Sequence, residues 1–333
     1  MNKTALLLVN LGTPDSPSTS DVRKYLTQFL NDSRVIDINP IGRFFLVNGL
    51  IVPFRAPKSA KIYKELWTEE GSPLLLHGLD LQKKLQKKLA NTHEVFFGMR
   101  YQNPSLESVL EEIRTKNFHK IIVFPLYPHY ASSSTGSSLE KIMQIISKWY
   151  VIPELRIISQ YYDDKGYINS FVERGKQYKF GEYDHVLFSY HGLPVRQVDK
   201  VYEDSPCSDH NCENEITEEN KFCYKATCYE TTRLIAKQLN IPESKYTVGF
   251  QSRLNQKWIE PFSDKIVEEL AKKGMKKLLV FSPAFTADCL ETTIEIGHEY
   301  NAIFREHGGE KVQLVESLNS NDTWVDAIAE MVR

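Results

Sequence analysis

The sequence predicts an α/β protein made of two similar halves, each a parallel β-sheet flanked by helices. Short runs rich in Val, Ile, Leu and Phe alternate with longer amphipathic segments, the pattern of strands covered on both faces by crossover helices. Three pairs of segments recur in the same order: ALLLVNLG (5–12) with HVLFSYHG (185–192), VFFGMRYQNPSLESVLEEI with TVGFQSRLNQKWIEPFSDKIVEEL, and KIIVFPLYPHYASSS (120–134) with KKLLVFSPAFTADCL (276–290). A chain of 333 residues also exceeds what a single core usually serves.

The apolar runs place strands at Ala5–Asn10, Glu94–Gly98, Lys120–Pro125, His185–Tyr190, Tyr246–Gln251 and Lys276–Ser282. The amphipathic segments place helices at Ser20–Phe29, Leu79–Leu89, Leu106–Thr115, Ser138–Lys148, Glu230–Leu239, Asp264–Lys272 and Cys289–Glu306. A last helix, Asp322–Val332, is capped by Asn321 or Asp322. The expected domains are 1–155 and 156–333, with the last helix packing back on the first domain. The stretch 41–57, IGRFFLVNGLIVPFRAP, is apolar without clean periodicity and reads either as a buried helix or as a greasy lip for a lipophilic ligand.

Composition narrows the function classes. A formal net charge of −2 lacks the basic excess of nucleic-acid binders. No apolar run reaches the roughly 20 residues of a membrane span. The N-terminal MNKTALLLVNLGTPD has an apolar run but no small-residue cleavage site, so a buried strand is expected there rather than a signal peptide. A cytoplasmic protein with reduced thiols is therefore expected.

Open α/β sheets bind ligands outside the carboxyl ends of their strands. That is where the unusual residues fall: Arg100, Tyr127, His191, Arg253 and Asp288. In FSYHGLP, His191 follows a strand and precedes Gly-Leu-Pro, which restrains the backbone. Its imidazole reads either as bonded within the turn or as a proton acceptor and metal ligand near neutral pH. In SPAFTADCLETTIEIGHEY, Glu291, Glu295 and Glu299 recur every four residues, with His298 beside the last. On an α-helix this spacing stacks three carboxylates on one face at a cost of about 0.2–0.5 kcal/mol per pair. The run reads as a solvated acidic face, or as a track for a divalent cation or for departing protons. PLYPHYASSSTGSS supplies Tyr127, Tyr130 and a hydroxyl run, GMRYQNP supplies Arg100 and Tyr101, FRAPK supplies Arg55, and QSRLNQKW supplies Arg253 and Trp258. Aromatic walls with arginines suit a flat, apolar, anionic ligand.

Together LLLVNLGTPDSP, DVRKYLTQFLNDSRVID, YKELWTEEGSPLL, GMRYQNPS, PLYPHYASSSTGS, LFSYHGLP, QSR…W and FTADCLET resemble ferrochelatase over residues 6 to about 300. The resemblance implies a chelatase-like fold of two similar Rossmann-like domains around a central porphyrin cleft. It also implies insertion of Fe²⁺ into protoporphyrin IX to give protoheme, the last step of heme biosynthesis, with release of two protons. The family histidine falls on His191 and the family glutamate on Glu291, with Glu295, His298 and Glu299 as further metal-handling positions. Porphyrin contacts fall on Arg55, Arg100, Tyr101, Tyr127, Ser133 and Trp258. Animal members have a second histidine where this chain has Cys289, and Asn255 stands where the QSR…W motif usually has glycine. The alternatives are a related chelatase using coproporphyrin III or another metal, and a non-catalytic heme or metal carrier. The apolar lip is also the candidate for peripheral membrane contact.

Four of the five cysteines form C-x4-C-x10-C-x4-C, at Cys207, Cys212, Cys223 and Cys228, in a cysteine-rich insertion at about 204–229 that includes His210. The pattern admits a 2Fe–2S cluster or a structural zinc. Animal ferrochelatases draw cluster ligands from a C-terminal extension and from a position that falls here on Ser132, so an animal-type cluster is not expected. Some bacterial members carry an internal cysteine-rich segment at this place, which implies a 2Fe–2S cluster on the four cysteines.

Overall fold

The runs read as strands form parallel ladders in a computed structural model of the chain, which describes residues 3–333. β1 (Thr4–Gly12), β2 (His93–Tyr101), β3 (Lys120–Pro125) and β4 (Glu154–Ile157) make one sheet in the order β2-β1-β3-β4. β5 (His185–His191), β6 (Tyr246–Gln251), β7 (Lys277–Phe281) and β8 (Lys311–Leu314) make a second sheet in the order β6-β5-β7-β8. Every pairing is parallel, and the second order repeats the first. The segments that repeat in sequence thus hold equivalent places in two sheets. β4 and β8 are absent from the sequence expectations because each has four residues at a sheet edge and is only partly buried.

The chain divides into two units, one running to Gln160 and including Ile328–Arg333, the other Tyr161–Ala327. The first sheet is flanked by α1 (Thr19–Leu30), α2 (Pro40–Phe45), α3 (Val52–Leu66), α4 (Pro73–Lys88), α5 (Leu106–Thr115) and α6 (Ser137–Ile146). The second has α7 (Lys165–Gly175), α8 (Val195–Val198), α9 (Tyr224–Gln238), α10 (Ser263–Lys272) and α11 (Asn301–Glu306), and α12 (Asp322–Met331) ends the chain. In the first unit Ala5, Leu7, Val9, Ile121 and Val123 pack on Leu106, Leu110 and Ile142. In the second, Leu187, Leu278 and Val280 pack on Val267, Ile296 and Phe304. At about 25 cal/mol per Å² of apolar surface, these buried strand faces are the main driving force for each sheet.

The duplication extends to the strand tips. Gly12 closes β1 at φ +125°, and a Cβ there would lie 2.1 Å from the Tyr101 carbonyl oxygen at the end of β2. Gly192 follows β5, and its Cβ would lie 2.8 Å from the Gln251 carbonyl oxygen at the end of β6. One residue further on, Gln102 and Ser252 both adopt left-handed backbone, at φ 62° and 60°. A π-helix also follows the third strand of each sheet, at Ser132–Gly136 and Glu291–Tyr300.

Two expectations need correction. The continuous α-helix expected over Cys289–Glu306 is a π-helix from Glu291 to Tyr300 that becomes α-helical only at Asn301. Over ten residues an apolar pattern does not separate 3.6 from 4.4 residues per turn, so the wider turn is invisible in the sequence. The stretch 41–57 is helical, but not the buried helix allowed above: Ile41, Phe44, Phe45, Leu50 and Phe54 are 57–70% exposed. Among the described residues no helix is long and apolar enough to cross a membrane.

Candidate functional site

β5 delivers His191 to the tip of the second sheet. Its Nδ1 lies 2.6 Å from the Gly192 carbonyl oxygen. A carbonyl only accepts, so Nδ1 carries the proton and Nε2 keeps its lone pair. The ring lies between Trp258 and Phe285, with centroids at 6.2 and 6.3 Å, which restrains its rotation. A bridge between Pro194 and Trp258 holds the indole beside it.

The π-helix brings Glu291 and Glu295 to the same tip, where both are half-buried. Glu295 Oε1 accepts from the Ser252 N–H at 2.7 Å. Its Oε2 accepts from Ser252 Oγ and, at 3.2 Å, from Gln251 Nε2. Burial pushes the Glu295 carboxyl above its ordinary value and Glu291 adds to this, outweighing the Ser252 hydrogen bonds and the His191 charge that pull it down. His298 and Glu299, the outer positions of the expected ladder, are exposed. Asp288 accepts from Asn319 Nδ2 at 2.8 Å and Thr292 Oγ1 at 3.1 Å, and so secures the entry to the π-helix. Arg253 makes a bidentate pair with Asp264, at 2.7 and 3.1 Å, over the Phe262 ring. Cys289 is buried, and that burial pushes its thiol up, which keeps it neutral.

The tip of the first sheet is organised by Asp32, which the sequence reading did not single out. Its Oδ2 accepts from Arg100 Nη2 at 2.6 Å, Tyr101 Oη at 2.8 Å and Ser137 Oγ at 2.5 Å, and its Oδ1 accepts from the Arg34 N–H at 2.8 Å. Arg100 Nε adds a bond to Ser137 Oγ at 2.7 Å. Burial raises the Asp32 carboxyl, but the bonds from Ser137, Arg34 and Tyr101 and the Arg100 charge outweigh it and hold the group below its ordinary value. Tyr101 is 1% exposed and packs against Phe29, so it supports Arg100 from beneath. Tyr127 Oη reaches Ser138 Oγ at 3.4 Å, and Ser133 is half-buried in the shorter π-helix. Arg55 is exposed on α3 beside Phe54.

Three of the four clustered cysteines come together. The Cys207 sulfur lies 3.5 Å from those of Cys212 and Cys223, and all three lie within 4.8 Å of one another. A disulfide would need about 2.05 Å. A tetrahedral ion with metal–sulfur bonds of about 2.3 Å sets its sulfurs about 3.8 Å apart, so the triad has the spacing of thiolates sharing a metal. Hydrogen bonds from Cys207 and Cys212 hold the Cys223 thiol well below its ordinary value, while Cys207 and Cys212 are themselves pushed up, so the three sulfurs share one thiolate. Tyr202 Oη contacts Cys212 Sγ at 2.9 Å, and the His210 ring stacks on Tyr202 at 3.8 Å. Cys228 is fully buried on α9 and lies outside this group. The donors fit a thiolate-held metal centre, with three sulfurs where a 2Fe–2S cluster takes four.

Two four-stranded parallel sheets of matching strand order give this chain the two-unit α/β fold of solved chelatases. The structure of SirB from Bacillus subtilis with Fe³⁺ matches with a TM-score of 0.57 at 13% identity, covering 99% of this chain and 94% of that one. The sirohydrochlorin chelatase SirB from Bacillus subtilis subspecies spizizenii in complex with cobalt matches with a TM-score of 0.53 at 12% identity, over 99% and 94% of the two chains. The family profile described as Ferrochelatase matches residues 3–333. A ferrochelatase of Coxiella burnetii (strain Dugway 5J108-111) is 43% identical over 336 residues, covering 100% of this chain and 94% of that protein. One of Legionella pneumophila (strain Lens) is 43% identical over 328 residues, covering 98% of each. The chain belongs to the ferrochelatase family.

Proposed function

We propose that this protein inserts Fe²⁺ into protoporphyrin IX, releasing the two pyrrole protons, as the terminal step of heme biosynthesis. The observation that carries the reading is the tautomer of His191: Nδ1 is committed to the Gly192 carbonyl, Nε2 keeps its lone pair, and the ring is near enough for its charge to act on Glu295. Insertion of a dication balances charge only if both pyrrole protons leave. Nε2 is suited to take a proton, and Glu291 is its partner in passing charge toward Glu295. Trp258, beside His191, supplies an aromatic surface for the macrocycle. The exposed face of Ile41, Phe44, Phe45, Leu50 and Phe54 suits peripheral contact with a membrane that carries a lipophilic porphyrin. The test is anaerobic incubation of purified protein with Fe²⁺ and either protoporphyrin IX or coproporphyrin III. Many turnovers of protoheme are expected, faster than with coproporphyrin. A reversed preference moves the protein to the coproporphyrin branch, and stoichiometric binding without turnover makes it a carrier.

We further propose that the cysteine segment holds a metal centre, read from the resemblance as a 2Fe–2S cluster with Cys228 as fourth ligand. The convergence of only Cys207, Cys212 and Cys223 favours a second reading, a single ion on three thiolates. Cys223→Ser is expected to abolish the centre in either case. Cys228→Ser separates them: a brown protein that bleaches with dithionite loses its colour if the cluster is four-cysteine. A colourless protein with stoichiometric zinc retained in that variant points to the three-thiolate ion. Metal analysis and the visible spectrum of the anaerobically purified protein decide the matter.

A further inference from the structure

We infer that Gln251 and Ser252 are positioning residues that fix the orientation of the Glu295 carboxyl group in the metalation site. The inference rests on the reading of this strand tip as that site. Ser252 holds a left-handed backbone at φ 60°, unusual for a residue with a side chain. The conformation turns both its N–H and its hydroxyl onto one carboxylate: the N–H meets Oε1 at 2.7 Å, and Oγ bonds Oε2. Gln251 Nε2 adds a donor to Oε2 at 3.2 Å and holds the Glu291 carbonyl oxygen at 3.0 Å. Gln251 is itself fixed from behind, because its Oε1 accepts from Ser189 Oγ at 2.7 Å, which lies 2.9 Å from Ser263 Oγ. Gln251, Ser189 and Ser263 are at most 1% exposed, so the chain of donors is set before any substrate arrives.

The duplicated fold supplies an internal control. Gln102 stands at the equivalent place after β2 with φ 62°, yet its N–H meets Gln28 Oε1 at 3.0 Å and merely docks α1. Only in the second unit does the left-handed turn aim its donors at a carboxylate on the π-helix. Gln251 holds Glu291 through its main-chain carbonyl, and the Glu291 carboxylate has the Cys289 thiol, a weak donor, as a neighbour. The two glutamates are therefore held differently: Glu295 is fixed by its carboxyl group and Glu291 through its main chain.

Ser252→Ala tests this in the full-length protein with Fe²⁺ and protoporphyrin IX. Loss of one hydrogen bond to the carboxyl group is expected to lower kcat about ten-fold, with the KM and fluorescence-titrated Kd for porphyrin unchanged. Ser252→Gly relieves the backbone and keeps the N–H, and it should show the same loss; Ser252→Thr should recover most of the rate. In a Glu295→Gln background Ser252→Ala should add no further loss. The inference is overturned if Ser252→Ala and Ser252→Gly keep the wild-type kcat. It is equally overturned if they weaken porphyrin binding with kcat intact, which would make Ser252 a porphyrin contact. Wild-type turnover by Glu295→Gln alone would instead remove Glu295, and the reading of the site with it.

Discussion

His191→Ala is expected to cut porphyrin metalation by about 10²- to 10⁴-fold, the usual range for loss of a positioned proton-transfer group, while porphyrin binding survives. The argument starts from the tautomer. Nδ1 is spent on the Gly192 carbonyl, so alanine removes the ring nitrogen that offers its lone pair at this tip. The β5 ladder and the Gly192–Gln251 bond of 2.8 Å are main-chain features that the substitution leaves in place. Glu291→Gln should behave similarly, because the amide keeps the shape of the side chain but neither carries charge nor takes a proton. Stopped-flow heme formation read against porphyrin fluorescence quenching checks both variants. Near-normal turnover by either would remove that residue from the proposed chemistry. Equal loss of binding and turnover would recast it as a substrate-holding residue.

The parts of this site legible in the sequence were those set by chain-local pattern. A histidine at the end of VLFSYH has to sit at a strand tip, because the continuous buried run that makes the strand ends there. Glu291 and Glu295 were legible as a pair for a similar reason, since residues four apart stay near one another on any helix. What stayed hidden depends on backbone geometry or on contacts distant in sequence. Nothing in QSR announces that Ser252 turns left-handed and clasps a side chain 43 residues later. His298 and Glu299 are exposed while Ile294, Ile296 and Tyr300 are buried, a packing that the acidic spacing does not report. Asp32 has Arg100 and Ser137 as partners 68 and 105 residues away. In FLNDSR it reads as one more polar residue after a helix.

Asp32→Ala is expected to be the most destabilising single change outside the apolar core. The Asp32 and Arg100 side chains are 6% and 18% exposed, so removing the carboxylate strands a guanidinium with little access to water. It also deprives the buried Tyr101 and Ser137 hydroxyls of their shared acceptor. Breaking a buried pair from one side costs about 3–5 kcal/mol, which corresponds to a fall in Tm of roughly 10 °C for a unit of this size. Asp32→Asn should cost less, because the amide oxygen still accepts, and it isolates the charge. The folded carboxyl titrates below its ordinary value, so the charge contributes fully at neutral pH, where both folded and unfolded forms are ionised. That contribution declines as pH drops through the ordinary range near about 4 and vanishes once pH falls through the folded value. Urea unfolding of wild type and Asp32→Asn from pH 7 to pH 3 should therefore show two curves that converge on acidification. Parallel curves would mean that Asp32 acts only as a neutral acceptor, and that Arg100 owes its position to Ser137 alone.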